Sequence, residues 1–147
     1  MRVRSDRRWS FPTDRRELWD EISAVDRYRT WWPWLRGFDA DGLQAGQTWS
    51  CVVQPPLPYT LRFSVILDEV LHEQYVSATI AGDVIGEARL ELADRDAGCE
   101  ARLVSLLEPG NRLLRAVASV ARPMVRFGHD WVLDTGARQF ASQFERR

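Results

Sequence analysis

The pattern of hydrophobic and polar positions changes once along the chain, close to Glu108. From Gly37 to that point, apolar residues alternate with polar ones at a period of two, which is typical of strands with one buried face. From Asn111 to Phe144, apolar residues recur at spacings of three and four, which predicts a long helix. The pattern therefore predicts a sheet followed by one helix that is large enough to cover it.

Two apolar stripes run along the predicted helix. The first comprises Val117, Val120, Met124, Phe127, Trp131 and Thr135, and the second comprises Val125, His129, Leu133, Gly136, Phe140 and Phe144. A helix with two apolar faces is covered on both sides, so one stripe should contact the sheet and the other the N-terminal helices or a partner subunit. Asn111 is a good N-cap. Pro123 predicts a kink or a break near Arg122, because proline removes a backbone donor.

The predicted sheet begins at the N-terminus and continues after two short helices. Residues 2–10 favour a first strand at an edge of the sheet. Thr13 or Asp14 caps a helix, and a second short helix over residues 27–31 ends at Pro33. Further strands are predicted over residues 46–54, 59–70, 74–80, 84–92 and 99–107. The short turns between them indicate an antiparallel meander with one solvated face.

The alternation assigns one face of each strand to the interior. The larger inward residues are Trp49, Phe63, Val65, Leu90 and Leu103, with Ser105 among them. Small inward residues such as Ala88 and Ala101 allow a cavity on the concave side. The predicted fold class is α+β, with a curved antiparallel sheet of about six or seven strands wrapped around a long C-terminal helix. Residues 1–147 form a single predicted domain.

Composition and charge narrow the function classes. The net charge is −1, so the chain lacks the basic field expected of a nucleic-acid-binding protein. All twenty basic residues are arginine, which excludes a Schiff-base lysine. The first sixteen residues carry an excess of four positive charges, and a solvated edge strand explains this better than a membrane-surface or partner patch.

The sequence favours a cytoplasmic protein. Its N-terminus lacks the apolar segment of a signal peptide, and no apolar run is long enough to span a membrane. Two scattered cysteines, Cys51 and Cys99, suit a reducing compartment better than a disulfide framework.

Motifs that would hold a cofactor or carry catalysis are missing from the sequence. It contains no zinc-ligand cluster, Gly-rich phosphate loop or nucleophile elbow, so we expect no metal and no cofactor. Weak candidates for a catalytic acid or base are His129, Tyr28 and Tyr59. His129 titrates near neutrality, although a hydrogen-bonded structural role is favoured. Its neighbour Asp130 is not expected to contact it, because adjacent helix residues do not face each other.

Three tryptophans, Trp31, Trp32 and Trp34, stand within four residues. One interpretation is a core plug where the short helices meet the sheet. The other places part of the cluster at the mouth of a pocket, because indole offers a large apolar face with one donor. Both interpretations can hold for different members.

Three segments carry a resemblance to a known family: RTWWPWLRGF, GDVIGEARLEL and RFGHDWVLDTGARQF. With the order of strands and helices, they make residues 5–145 resemble the polyketide cyclase/dehydrase and lipid-transport branch of the START-like superfamily, also called SRPBCC. The resemblance implies a helix-grip fold, in which the sheet encloses a hydrophobic pocket against the C-terminal helix. Members bind lipids, quinones, hormones or polyketides, and a minority are aromatases or cyclases. No family motif carries a catalytic residue over to this chain.

Three functions fit these observations. The first is binding or transport of a small hydrophobic ligand, such as a lipid, a quinone or a polyketide-like molecule. The second is a polyketide cyclase or dehydratase that uses His129 or a pocket tyrosine as acid or base, and the third is a non-catalytic protein-interaction module with a closed core. The expected ligand contacts are Trp31, Trp34, Trp49, Phe63, Val65, Leu90, Leu103, Ser105, Met124, Phe127 and Trp131. A homodimer through the Phe140 and Phe144 end is also compatible with the pattern.

Overall fold

A curved antiparallel sheet wraps around a long C-terminal helix in the computed structural model, which describes residues 2–145. The strands are β1 (Val3–Phe11), β2 (Leu35–Asp39), β3 (Thr48–Val53), β4 (Leu61–Leu71), β5 (Tyr75–Gly82), β6 (Val84–Arg95) and β7 (Gly98–Pro109). The helices are α1 (Arg15–Ser23), α2 (Tyr28–Trp31), α3 (Arg112–Val120) and α4 (Arg122–Glu145), and a 3-10 turn (Val25–Arg27) precedes α2. The predicted α+β fold class is confirmed.

The seven strands form one sheet in the order β1-β7-β6-β5-β4-β3-β2, and every neighbouring pair is antiparallel. β2 to β7 form a continuous meander, and β1 pairs with the last strand. The prediction that the first strand lies at an edge is therefore confirmed. Sequence analysis missed β2, since it is short and its register with β3 shifts between Leu35 and Gly37.

Side-chain caps are present at two of the predicted helix starts. The carboxylate of Asp14 accepts a hydrogen bond from the backbone N–H of Glu17 at 2.8 Å, at the start of α1. The side-chain oxygen of Asn111 accepts one from the N–H of Leu114 at 2.7 Å, at the start of α3. The break predicted near Arg122 is also present, because α3 ends with Ala121 as its C-cap and α4 begins at the next residue.

The second apolar stripe is the one that packs into the core. Phe140 and Phe144 are buried, and their ring centroids lie 5.5 and 5.8 Å from that of Phe11 on β1. Phe127, on the first stripe, is instead 52% exposed. Burial of both rings within the chain removes the predicted dimer surface at this end, so that expectation is corrected. A homodimer through another surface stays a prediction.

The tryptophan cluster joins the loop before β2 to α4. The indole N–H of Trp32 donates to the backbone oxygen of Gly136 at 2.9 Å. The indole N–H of Trp34 donates to the side-chain oxygen of Gln139 at 2.8 Å. The Trp31 ring lies 5.1 Å from the Phe140 ring, edge to face. These contacts hold the C-terminal half of α4 against the sheet and its helices.

Replacement of Phe140 by alanine should destabilise the fold strongly, because its buried ring contacts several aromatic neighbours. We expect a loss of about 3–5 kcal/mol in the free energy of unfolding, measured by urea denaturation. Phe127→Ala is the matched control on the same helix and should cost less than about 1 kcal/mol, because its ring is half exposed. Equal losses would contradict the assignment of the second stripe to the core.

Candidate functional site

Two adjoining cavities lie between the concave face of the sheet and α4. The first, which we call the Tyr59 cavity, has a volume of about 320 Å³ and is lined by residues of β1, β4, β6, β7, α4 and the loop at residues 55–59. The second, which we call the tryptophan cavity, has a volume of about 340 Å³ and is lined by Trp9, Trp32, Trp34 and Trp49, among others. Both volumes suit a small organic ligand.

The cavities exist because the helix does not fill the concave side of the sheet. Ala88, Leu103, Val132 and Leu133 line both spaces, so the two cavities meet there. Ala88 is the smallest of these four residues, and its methyl group leaves the passage between β6 and α4 open. Leu103 points to the concave side of the sheet and is still partly exposed there, as expected of a residue that lines a cavity.

The lining of the Tyr59 cavity is apolar except at a few positions, and His129 is the most informative of them. The His129 side chain is 14% exposed, and its Nδ1 lies 3.2 Å from the carboxylate oxygen Oδ1 of Asp130. Arg7 of β1 donates to the same oxygen at 2.9 Å. The expectation that His129 and Asp130 do not meet is therefore wrong. That expectation considered the helix alone, whereas a tertiary contact with Arg7 of β1 also positions the Asp130 carboxylate.

The protonation states of this pair follow from their surroundings. Burial lowers the pKa of His129, and the hydrogen bond to Asp130 offsets this only in part. Burial opposes ionisation of Asp130, but the hydrogen bonds from His129 and Arg7 outweigh it and lower the pKa of that carboxyl. A carboxylate only accepts hydrogen bonds, so Nδ1 of a neutral His129 carries the proton and Nε2 is left as an acceptor.

The acceptor atom of His129 is unsatisfied. Nε2 is buried and has no hydrogen-bond partner among the described residues. A buried polar atom without a partner costs free energy, so a native structure that keeps one needs a reason for it. A bound molecule with a hydroxyl or N–H group would supply the missing donor.

Tyr59 brings a second polar group to the same cavity. Its loop is held by Gln54, whose side-chain amide donates to the backbone oxygens of Leu57 and Tyr59, both at 2.9 Å. A Cβ on Gly128 would stand 2.2 Å from the Tyr59 hydroxyl, so glycine allows the loop to pack against α4. Partial burial raises the pKa of Tyr59, which keeps its hydroxyl protonated and able to donate.

The remaining polar groups of the Tyr59 cavity already have partners. The hydroxyls of Ser105 and Ser5 lie 3.0 Å apart across the β1–β7 pair. Glu108 forms an ion pair with Arg2 at 3.4 Å. His129 and Tyr59 are therefore the groups that can recognise a ligand here.

The tryptophan cavity is lined by aromatic and aliphatic side chains, and the polar groups of several of its aromatic residues are already hydrogen-bonded. The indole N–H of Trp49 donates to the backbone oxygen of Gly42 at 2.9 Å, and those of Trp32 and Trp34 donate to α4 as described above. Tyr28 is fully buried, and its hydroxyl donates to the backbone oxygen of Ile22. Burial raises the pKa of Tyr28 far above its usual range, so this candidate acid or base stays protonated and engaged.

The structure brings most of the predicted ligand contacts together. The predicted residues that line one or both cavities are Trp34, Trp49, Phe63, Val65, Leu90, Leu103 and Ser105, along with the acid or base candidates Tyr28, Tyr59 and His129. Neither cavity is lined by Trp31, Met124, Phe127 or Trp131. Trp31 instead packs on Phe140. The other three belong to the first stripe of the helix, which faces away from the cavities.

Several lining residues on α4 were missed as ligand contacts. They are Val125, Gly128, Val132, Leu133, Gly136 and Ala137. The two glycines were the available signal, because glycine inside a helix costs about 1 kcal/mol relative to alanine and tends to mark a close packing contact. A Cβ on Gly136 would stand 3.0 Å from the Trp34 ring, which explains its presence.

The described residues, 2–145, lack two further features. Within this range no group of three or more His, Cys, Asp or Glu side chains could hold a metal ion. No helix in the same range is long and apolar enough to cross a membrane.

Comparison with known proteins shows the fold and no more. No family model and no curated protein sequence matches the chain. A conserved protein from Geobacillus kaustophilus superposes with a TM-score of 0.78 at 9% identity, covering 98% of this chain and 96% of that one. KanY protein superposes with a TM-score of 0.73 at 13% identity, covering 99% of both chains.

A third solved structure names the architecture. Ara h 8.0201, a Bet v 1-like protein with a helix-grip fold, superposes with a TM-score of 0.70 at 8% identity over the full length of both chains. The chain therefore has a helix-grip fold. At these identities the likeness carries no residue roles.

The neutral state of His129 predicts a pH dependence of stability. In the unfolded chain this residue titrates near its ordinary pKa of 6.5, whereas burial lowers that pKa in the folded chain. The unfolded chain therefore binds more protons below that value, and the free energy of unfolding should fall as the pH drops through 6.5. Urea denaturation across this range should show the slope in the wild type and a smaller slope in His129→Gln. His72→Gln, at an exposed site, is the control and should keep the wild-type slope.

Proposed function

We propose that the chain binds or carries a small, largely apolar molecule in the cavities between the sheet and α4. The observation that carries this proposal is the buried Nε2 of His129, which has no partner among the described residues and lies beside a largely apolar space. An apolar cavity supplies affinity through burial, and a few polar groups supply orientation. The helix-grip architecture, which is of a ligand-binding type, supports the same function.

The polar groups indicate the chemistry of the ligand. Nε2 of neutral His129 accepts a hydrogen bond, so the ligand should present a hydroxyl or an N–H group. The Tyr59 hydroxyl can donate to a second oxygen of the same ligand. A quinol or a hydroxylated lipid or polyketide meets both requirements. An oxidised quinone offers acceptors only, and would leave Nε2 unsatisfied.

A second candidate function is acid–base chemistry on a polyketide-like substrate, as in a cyclase or dehydratase. The contact between Asp130 and Nδ1 of His129 favours it, because a carboxylate that orients an imidazole prepares the other ring nitrogen to take a proton. Tyr59 would stabilise the developing enolate or oxyanion. The third candidate, an interaction module with a closed core, is disfavoured by the two cavities.

We also place the protein in the cytoplasm. Cys51 and Cys99 are both free and buried, which suits a reducing compartment. Burial raises the pKa of the Cys51 thiol to about 12, so this thiol is unreactive and structural.

A pair of matched probes tests the ligand chemistry. 2-Naphthol carries one hydroxyl donor on an apolar body, and 2-methoxynaphthalene has the same body without the donor. We expect 2-naphthol to bind more tightly by roughly five- to tenfold, the contribution of one hydrogen bond to a buried acceptor. Isothermal titration calorimetry measures both dissociation constants. In His129→Phe, which removes the acceptor, the two probes should bind equally well.

Two variants of β6 control for the location of the probes. Ala88→Leu places three extra carbons where the cavities meet and should weaken 2-naphthol by about tenfold or more. Ala93→Leu adds the same atoms to the outer face of the same strand and should leave binding unchanged. If neither probe binds the wild type, or if Ala88→Leu has no effect, the cavities are not the binding site.

Turnover separates the two leading functions. If the protein is a cyclase or dehydratase, His129→Gln should abolish product formation from an aromatic poly-β-ketone substrate while its melting temperature stays close to the wild-type value. Liquid chromatography with mass spectrometry follows the products. Spontaneous cyclisation unaffected by wild-type protein would rule out this candidate and leave the binding function standing.

A further inference from the structure

The segment from α3 to the start of α4 exposes large apolar side chains to solvent. Val120 is 88% exposed, Leu113 is 77% exposed and Phe127 is 52% exposed. Among the described residues, the one other large hydrophobic side chain that is exposed is Leu71 on β4, at 44%. Exposed apolar residues concentrated in one short segment mark a surface that another apolar phase covers.

The exposed residues occupy the outer face of a helix whose inner face is already packed. Leu114 and Ala118 are buried on one side of α3. Leu113 and Val120 stand two turns apart on the other side, with exposed Ala116 beside them. Packing within the chain therefore accounts for one apolar face of α3 and leaves the other uncovered.

The same segment is basic throughout. Arg112, Arg115, Arg122 and Arg126 are all exposed, and no acidic residue occurs between Asn111 and His129. Arg126 pairs with Asp130 at 3.7 Å, whereas no ion pair joins the other three to any described acidic side chain. The chain as a whole has a net charge of −1, so this surface is a local positive patch.

Three of the four arginines within residues 2–8 behave differently. Arg2, Arg7 and Arg8 form ion pairs with Glu108, Asp130 and Glu100, at 3.4, 2.9 and 3.7 Å. Their excess charge is largely neutralised within the fold, in agreement with the expected solvated edge strand. Arg112, Arg115 and Arg122 lie close together in the sequence beside the exposed apolar residues, and all three are available to an external anion.

We propose that α3 and the first turns of α4 dock the protein on an anionic phospholipid surface. A helix with an exposed apolar face flanked by arginines lies in the plane of a bilayer, with its apolar side chains among the acyl chains and its guanidinium groups at the phosphates. The exposed apolar side chains would insert into a fluid phase without needing a matching groove. A second copy docked on the same face would bring like charges together, which disfavours a dimer there.

This surface adjoins the Tyr59 cavity. Leu114 of α3 and Val125 of α4 line that cavity from the same two helices whose outer faces carry the patch. Docking would therefore place the part of the Tyr59 cavity that α3 lines close to the bilayer. The docking proposal holds whether or not the cavity takes a ligand.

Vesicle flotation tests the proposal directly. We expect the wild-type protein to float with vesicles of phosphatidylcholine mixed with phosphatidylserine, to float poorly with pure phosphatidylcholine, and to be released by high salt. Arg112→Gln with Arg115→Gln should weaken the partition coefficient roughly 25-fold, since each basic residue near the surface contributes about fivefold. Val120→Asp should weaken it by about tenfold or more. All three sites are exposed, so circular dichroism melting should stay unchanged.

Two matched variants show whether the effects are local. Arg16→Gln removes an exposed arginine outside the patch, and Leu71→Asp changes an exposed leucine on β4. Both should bind vesicles as the wild type does. Absence of flotation with the vesicles that contain phosphatidylserine would overturn the proposal, as would equal effects of the control and patch variants. A dimer or a protein complex that Val120→Asp disrupts, in the absence of flotation, would assign the face to a protein partner instead.

Discussion

The structure depends on how α4 is held at its C-terminal half. Phe140 and Phe144 pack edge to face on Phe11, and the indoles of Trp32 and Trp34 donate hydrogen bonds to the same stretch of helix. These contacts fix the distance between helix and sheet at one end. The tryptophan cavity lies beside these contacts, and the Tyr59 cavity lies further towards the N-terminus of α4. The same attachment thus provides both a stable core and the cavities beside it.

Polar groups are placed sparingly in that space. Arg7 on the first strand binds the Asp130 carboxylate, and this carboxylate orients His129. The other ring nitrogen of His129, Nε2, has no partner among the described residues. The network joins residues 123 positions apart in sequence. Its geometry combines a neutral acceptor with an apolar wall, which suits recognition of a hydroxyl on an apolar molecule. Acid–base chemistry would use the same atoms, which is why binding and turnover need separate tests.

Much of the fold could be predicted from sequence, because a strand with one solvated face alternates polar and apolar residues, and this alternation indicates which residues point inward. Alternation correctly placed Phe63, Val65 and Leu90 on the concave face. The helix was harder, since both of its stripes are apolar and the bulky Phe127 and Trp131 made the wrong one resemble a core. Short-range patterns also miss contacts such as that of Arg7 with Asp130, which depend on tertiary structure. The glycines inside α4 indicate which face of the helix packs inward, because a side chain at either position would collide with Tyr59 or Trp34.

We propose that the space between sheet and helix binds an apolar molecule with a hydrogen-bond donor. Native mass spectrometry of the protein purified from the organism that makes it is the first test, with organic extraction to identify any bound molecule. We expect one small apolar molecule with a hydroxyl or N–H group per chain, released on denaturation. A mass that matches the bare chain, together with no binding of hydroxylated apolar compounds, would contradict it.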